Sequence, residues 1–147
     1  MNIKSNFNEN EVIDRKYTCD GQDVNPPLEI IDPPVGCKSF ALIVDDPDAP
    51  VGEWVHWILI NIPFDVRRIE ENSVPDGAIL GLNDFGKNEY GGPCPPSGEH
   101  RYFFKLFALD CELDLITGFK KSDVMNEIEG HVLDKAELVG VFSRGIE

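Results

Sequence analysis

Positive charge is scarce in this chain. Its 147 residues hold 13 Lys and Arg against 27 Asp and Glu, for a formal net charge of −14. Such a surface repels the phosphate backbone of nucleic acids and the anionic face of a membrane, so partners of both kinds are excluded. A solvated acidic exterior that keeps the protein soluble accounts for the charge, and a small pocket within it can still be locally positive. Long hydrophobic runs are also missing: none approaches the ~20 apolar residues that a helix needs to cross a bilayer. Met1 to Asn10 is polar and carries no apolar segment of the secretory type. Cys19, Cys37, Cys94 and Cys111 are scattered and form no C-x-x-C pair, which argues against a structural zinc site. With no leader they are expected to be free thiols in a cytoplasmic setting. There is no H-E-x-x-H helix, G-x-S-x-G elbow or P-loop, and no internal repeat, low-complexity tract or linker. A single domain over residues 1–147, with no cofactor and no metal, is expected.

What the chain does have is strand signal. Phe40–Val44, Val55–Ile62 and Tyr102–Leu109 are short apolar runs, rich in β-branched and aromatic residues and bounded by Pro, Gly and Asp. Runs of that length and composition suit buried strands. Pro26-Pro27, Pro33-Pro34, Pro47, Pro50 and Pro63 exclude long helices from the first half. One helix is expected where Lys121-Ser122-Asp123 offers capping residues and Val124, Ile128 and Val132 fall at helical spacing, with Gly130 breaking the pattern. A second short helix is expected near Leu133 with Ala136-Glu137-Leu138 as its body, followed by a strand-like Leu138–Phe142.

The least ordinary segment runs from Tyr90 to Tyr102. It holds three glycines and three prolines (Gly91, Gly92, Pro93, Pro95, Pro96, Gly98) and leads into His100-Arg101-Tyr102. Pro fixes φ and Gly opens conformations closed to other residues, so this loop has a defined shape. Strand alternation sets His100 and Tyr102 on one face and Arg101 on the other. In Trp54-Val55-His56-Trp57 the same rule pairs Trp54 with His56 and Val55 with Trp57. Asp45-Asp46-Pro47-Asp48-Ala49-Pro50 reads as a restrained turn after the first strand. If the three segments meet, a carboxylate, two imidazoles and a phenol surround the loop. A carboxylate can orient and charge an imidazole, and the remaining donors suit the oxygens of a phosphate or carboxylate. Each part alone has a plainer reading. A histidine beside two tryptophans is commonly a hydrogen-bonded core residue, Asp and Pro favour turns, and Phe103, Phe104 and Phe107 read as core.

These segments, taken together, resemble the phosphatidylethanolamine-binding protein family, also called the Raf kinase inhibitor protein family, in its prokaryotic branch. The resemblance rests on Asp46-Pro47-Asp48-Ala49-Pro50, Glu53-Trp54-Val55-His56-Trp57 and Gly92-Pro93-Cys94-Pro95-Pro96 through Gly98-Glu99-His100-Arg101-Tyr102. It extends to Tyr17–Gly21 with Asn25–Leu28, and to Glu129–Leu133 with Ala136–Gly140. It implies a mainly β fold in which a large antiparallel β-sheet packs on a smaller sheet, with one or two short C-terminal helices. It also implies a pocket for a small anionic or phosphorylated ligand, formed by Asp46, His56, His100 and Tyr102, with Gly92 and Cys94 from the loop and Trp54 and Tyr90 nearby. Cys94 stands where animal members have Pro. A binding or regulatory protein is implied, with a homodimer suggested by prokaryotic relatives; the alternative is an inhibitor acting on a protease or kinase partner. An enzyme is the least favoured reading, since Cys94 is the sole nucleophile candidate.

Overall fold

The computed structural model describes residues 1–144. The strands are β1 (Asn2–Lys4), β2 (Leu28–Ile31), β3 (Ser39–Ala49), β4 (Gly52–Pro63), β5 (Arg68–Ile69), β6 (Ile79–Leu80), β7 (His100–Leu109) and β8 (Val132–Phe142), with one helix, α1 (Lys121–Ile128), before β8. They form two antiparallel sheets, one of order β1-β2-β5 and a larger one of order β6-β4-β3-β7-β8. The expected architecture of a large antiparallel sheet on a smaller one is therefore present.

The apolar runs are continuous because the central strands are buried on both faces. One face of β3, β4 and β7 (Phe40, Leu42, Val44, Trp57, Leu59, Tyr102, Phe104, Leu106) packs against Ile3, Leu28, Ile30 and Ile69 of the small sheet. The opposite face (Ala41, Ile43, Val55, Ile58, Ile60, Leu109) is covered by Leu113, Phe119 and the Val124 and Ile128 side of α1. The Asp123 carboxylate accepts from the Lys120 N–H at 2.8 Å and closes the first turn of the helix. Residues 10–13 run along β8: Asn10 and Ile13 N–H donate to the Val139 and Val141 carbonyls at 2.7 and 2.9 Å. The outer edge of the large sheet is thereby partly occupied.

Three expectations are corrected. The second helix does not form: residues 132–142 are β8, paired with β7 from His100↔Phe142 to Leu109↔Val132. Helix propensity in Ala136-Glu137-Leu138 is small against a ladder of that length. The Asp45–Pro50 segment is not a turn, since β3 runs through it to Ala49 and the reversal lies at Pro50-Val51. Two of the four cysteines are not free: Cys19 and Cys94 are joined in a disulfide, with Cα atoms 5.4 Å apart, and only Cys37 and Cys111 are free thiols. A sequence separation of 75 residues hides that pairing from any local pattern. No helix among the described residues is long and apolar enough to cross a membrane.

Candidate functional site

Two adjacent β3 carboxylates, Asp45 and Asp46, turn to opposite faces of the sheet. Asp45 is buried and accepts from Lys105 Nζ at 3.0 Å and Lys121 Nζ at 2.9 Å, so its charge is neutralised beneath α1. Asp46 faces the other way, where its Oδ2 lies 2.6 Å from His100 Nδ1. A carboxylate only accepts, so Nδ1 carries the proton and His100 Nε2 is left for another partner. The second Asp46 oxygen accepts the Asp48 N–H at 2.7 Å, which fixes the carboxylate. Asp48 itself forms a fork with the Arg101 Nε and NH2 atoms at 2.9 and 2.8 Å, and this pair holds the Asp48 carboxyl down at about 2. Arg101 therefore points outward, as alternation along β7 requires, and its charge is spent on Asp48.

The neighbouring strand supplies His56 through a bulge. The β3–β4 register steps from Val44↔Trp57 to Asp45↔Val55, so His56 is an extra residue on β4. The consequence is that His56 and Trp57, adjacent in sequence, both turn toward the small sheet: Trp57 joins the core between the sheets while Val55 joins the core beneath α1. The expected pairing of Val55 with Trp57 on one face fails for this reason. The pairing of Trp54 with His56 holds, and both pack edge-on against the Phe85 ring. His56 Nδ1 lies 2.7 Å from the Gly91 carbonyl oxygen. A carbonyl only accepts, so this ring too has a protonated Nδ1 and an uncommitted Nε2. Burial holds the His56 pKa below its ordinary value of 6.5, and the ring is neutral at pH 7. Tyr102 stands edge-on to His56 with centroids 5.2 Å apart, and its pKa is raised, by burial first and then by Asp46.

The loop that closes the site is tied to the N-terminal segment at several points. Tyr90 Oη donates to the Tyr17 carbonyl at 2.7 Å, Gly92 N–H donates to Asp23 Oδ1 at 2.7 Å, Cys19 N–H donates to the Pro93 carbonyl at 3.1 Å, and the Cys19–Cys94 bond follows. Gly92 is required by this proximity. A Cβ there would overlap the Tyr17 carbonyl and the Asp23 carboxylate, whereas the loop glycine with positive φ is Gly98 at 70°.

The result is one cavity of about 320 Å³, within the size range of small-molecule pockets. Its polar lining is Asp46, His56, His100 and Tyr102; its apolar lining is Ala49, Pro50, Val51, Trp54, Phe85, Pro95 and Pro96, with Cys94 at the wall. Six of the eight residues expected at a site, Asp46, Trp54, His56, Cys94, His100 and Tyr102, meet there. Gly92 and Tyr90 do not: Gly92 spaces the loop, and Tyr90 packs edge-on against Trp57 and lines a second, more polar cavity with Asp23, Asn25, Asn72 and Glu89. Residues that the sequence reading missed are Val51 and Phe85. Val51 follows from a hairpin whose true length was hidden by the prolines. Phe85 is placed by Asn83, whose Oδ1 accepts the Phe85 N–H at 2.9 Å, an arrangement with no periodic signature.

Residues 3–143 match the family model described as phosphatidylethanolamine-binding protein. Among similar curated proteins, a UPF0098 protein of Methanothermobacter thermautotrophicus is 51% identical over 99% of this chain and all of its own length. A UPF0098 protein of Aquifex aeolicus is 46% identical over 94% of this chain and 85% of its own. Among solved structures, a Chlamydia trachomatis chain described as a homolog of phosphatidylethanolamine-binding protein superposes with a TM-score of 0.94 at 37% identity, covering 98% of this chain and 97% of that one. YbcL of Escherichia coli, described as a member of the mammalian family, superposes with a TM-score of 0.90 at 32% identity, covering 98% of each chain. Sequence, fold and the agreement of motifs over nearly the whole length place this chain in the phosphatidylethanolamine-binding protein family.

Proposed function

We propose that this protein binds a small phosphorylated or carboxylate-bearing ligand in the cavity between β3, β4, β7 and the loop 90–98, and that it acts as a binder rather than a catalyst. One observation carries the reading. Two buried imidazoles face one cavity, each with Nδ1 committed to a fixed acceptor and Nε2 uncommitted among the described residues. Rings held in this way do not reorganise on binding, and low-dielectric walls strengthen any charge-assisted hydrogen bond made to them. The Asp46 carboxylate, 2.6 Å from Nδ1, fixes the His100 ring so that Nε2 is the nitrogen left to meet the ligand. The apolar walls favour a ligand whose anionic group is attached to an uncharged body over a bare ion. The nucleophile candidate of the enzyme reading, Cys94, is locked in a disulfide and presents no thiolate. Inhibition of a protease or kinase and a homodimer rest on the family resemblance alone; a cytoplasmic location rests on the polar N-terminus and on four free thiols, of which the Cys19–Cys94 bond removes two; none of the three adds to the site.

The test is a titration with inorganic phosphate, a phosphomonoester and acetate, followed through the His56 and His100 ring signals by NMR. Both rings are expected to shift saturably, with the monoester binding more tightly than phosphate. His100→Gln is expected to weaken binding about tenfold or more, the worth of one charge-assisted hydrogen bond. If neither ring responds at millimolar concentration, the proposal fails.

A further inference from the structure

A second cluster of ligating side chains lies at the other end of β7, about 30 Å from His100 at the ~3.3 Å rise of a strand. Asp110 and Cys111 follow β7 directly, and His131 immediately precedes β8. Their backbones are pinned together: the Asp110 N–H donates to the His131 carbonyl at 3.0 Å, and the His131 N–H donates to the Ile128 carbonyl at 2.9 Å at the end of α1. One donor atom from each of the three side chains lies within 4.8 Å of the others. Asp110 Oδ1 and His131 Nδ1 are 2.8 Å apart, and the Cys111 thiol lies beside them.

We propose that Asp110, Cys111 and His131 form a binding site for a divalent transition-metal ion of the zinc class, with three protein ligands and one position open to solvent. One sulfur, one imidazole nitrogen and one carboxylate oxygen suit a borderline-soft ion. A thiolate disfavours calcium and magnesium, which take oxygen. Around a tetrahedral ion with bonds of about 2.0–2.3 Å, neighbouring ligand atoms sit roughly 3.3–3.8 Å apart. At its widest the cluster therefore tightens by up to roughly 1–1.5 Å, and the Asp110–His131 pair opens by about 0.5 Å, which the half-exposed Asp110 and His131 side chains allow. The field favours a dication, since Asp110 and, from α1, Glu127 both place negative charge near the thiol. Binding releases the thiol proton to solvent and breaks the Nδ1–H hydrogen bond to Asp110; the imidazole proton moves from Nδ1 to Nε2 through solvent, which leaves the Nδ1 lone pair to ligate. The three residues belong to no part of the cavity described above.

Cobalt(II) serves as the probe. The full-length protein, stripped with a chelator and free of thiol reductant, is titrated with cobalt chloride. One equivalent is expected to produce a near-ultraviolet thiolate-to-cobalt band together with the visible bands of a tetrahedral ion. The thiolate band is expected to disappear in Cys111→Ser, to require at least tenfold more cobalt in His131→Ala, and to be unchanged in Cys37→Ser. No thiolate band at millimolar cobalt, or a band that survives Cys111→Ser or is lost in Cys37→Ser, overturns the proposal. Alkylation of the unmutated protein gives a reading that does not depend on the variants folding. Zinc chloride is expected to slow modification of Cys111 by iodoacetamide, and an unchanged rate counts against the site.

Discussion

His56 illustrates how a residue can be core and ligand at once. The sequence leaves two readings for a histidine between tryptophans, a hydrogen-bonded core group or a binding group. The structure merges them: the ring is 3% exposed, its Nδ1 is satisfied by a carbonyl, and its Nε2 remains available. Because burial depresses its pKa below 6.5, the neutral ring offers a lone pair at pH 7, and an anion reaches it most favourably when it brings a proton. Phosphate binding is therefore expected to take up protons and to tighten as the pH falls from 8 to 6. An NMR pH titration checks this. The His56 midpoint is expected below 6.5 in the free protein and higher with phosphate bound; a midpoint unmoved by phosphate contradicts the account. The sign for folding is opposite. Between the depressed value and 6.5 the unfolded chain holds the proton and the folded chain does not, so stability falls as the pH drops through that window. His100, at 6% exposure and paired with buried Asp46, is likewise no bystander to packing. Truncation to alanine would orphan a buried carboxylate, which makes His100→Gln the cleaner probe.

At the scale of elements, the loop 90–98 does its positioning through contact rather than through unusual dihedrals at Gly92. Gly92→Ala is expected to push the loop off Tyr17 and Asp23, costing about 1–3 kcal/mol as overpacking does, and to weaken ligand binding because Cys94 and Pro95 move with it. Chemical denaturation and the phosphate titration measure the two effects, and wild-type values in both would contradict this account. Much of this level was legible in the sequence. The three buried strands announced themselves as apolar runs because both faces of the sheet are covered, and alternation gave the shared face of His100 and Tyr102. The bulge at His56 was not legible, because an extra residue leaves no compositional trace and inverts the face of Val55 relative to Trp57. The short strands β5 and β6, of 2 residues each, carry too few positions to show a period. The helical look of Ala136–Leu138 was local propensity, outweighed by a partner strand remote in sequence.

For the whole molecule, the Cys19–Cys94 bond joins segments 75 residues apart. Closing a loop of that size removes enough freedom from the unfolded chain to contribute about 4 kcal/mol. A dithiol reductant is therefore expected to lower the melting temperature by roughly 10 °C, and Cys19→Ser is expected to reproduce the shift without reductant. Calorimetry with and without dithiothreitol reads it; an unchanged transition means that the bond adds no constraint the fold does not already impose. The same bond changes what a cut does to the molecule. Residues 19–94 form a covalent ring that contains all of β2 to β6, with β1 on one tail and β7, α1 and β8 on the other. A protease nicking an exposed loop inside that ring, such as the one around Glu71 to Asp76, frees no fragment, and the cleaved chain keeps its full complement of strands until a reductant separates the halves.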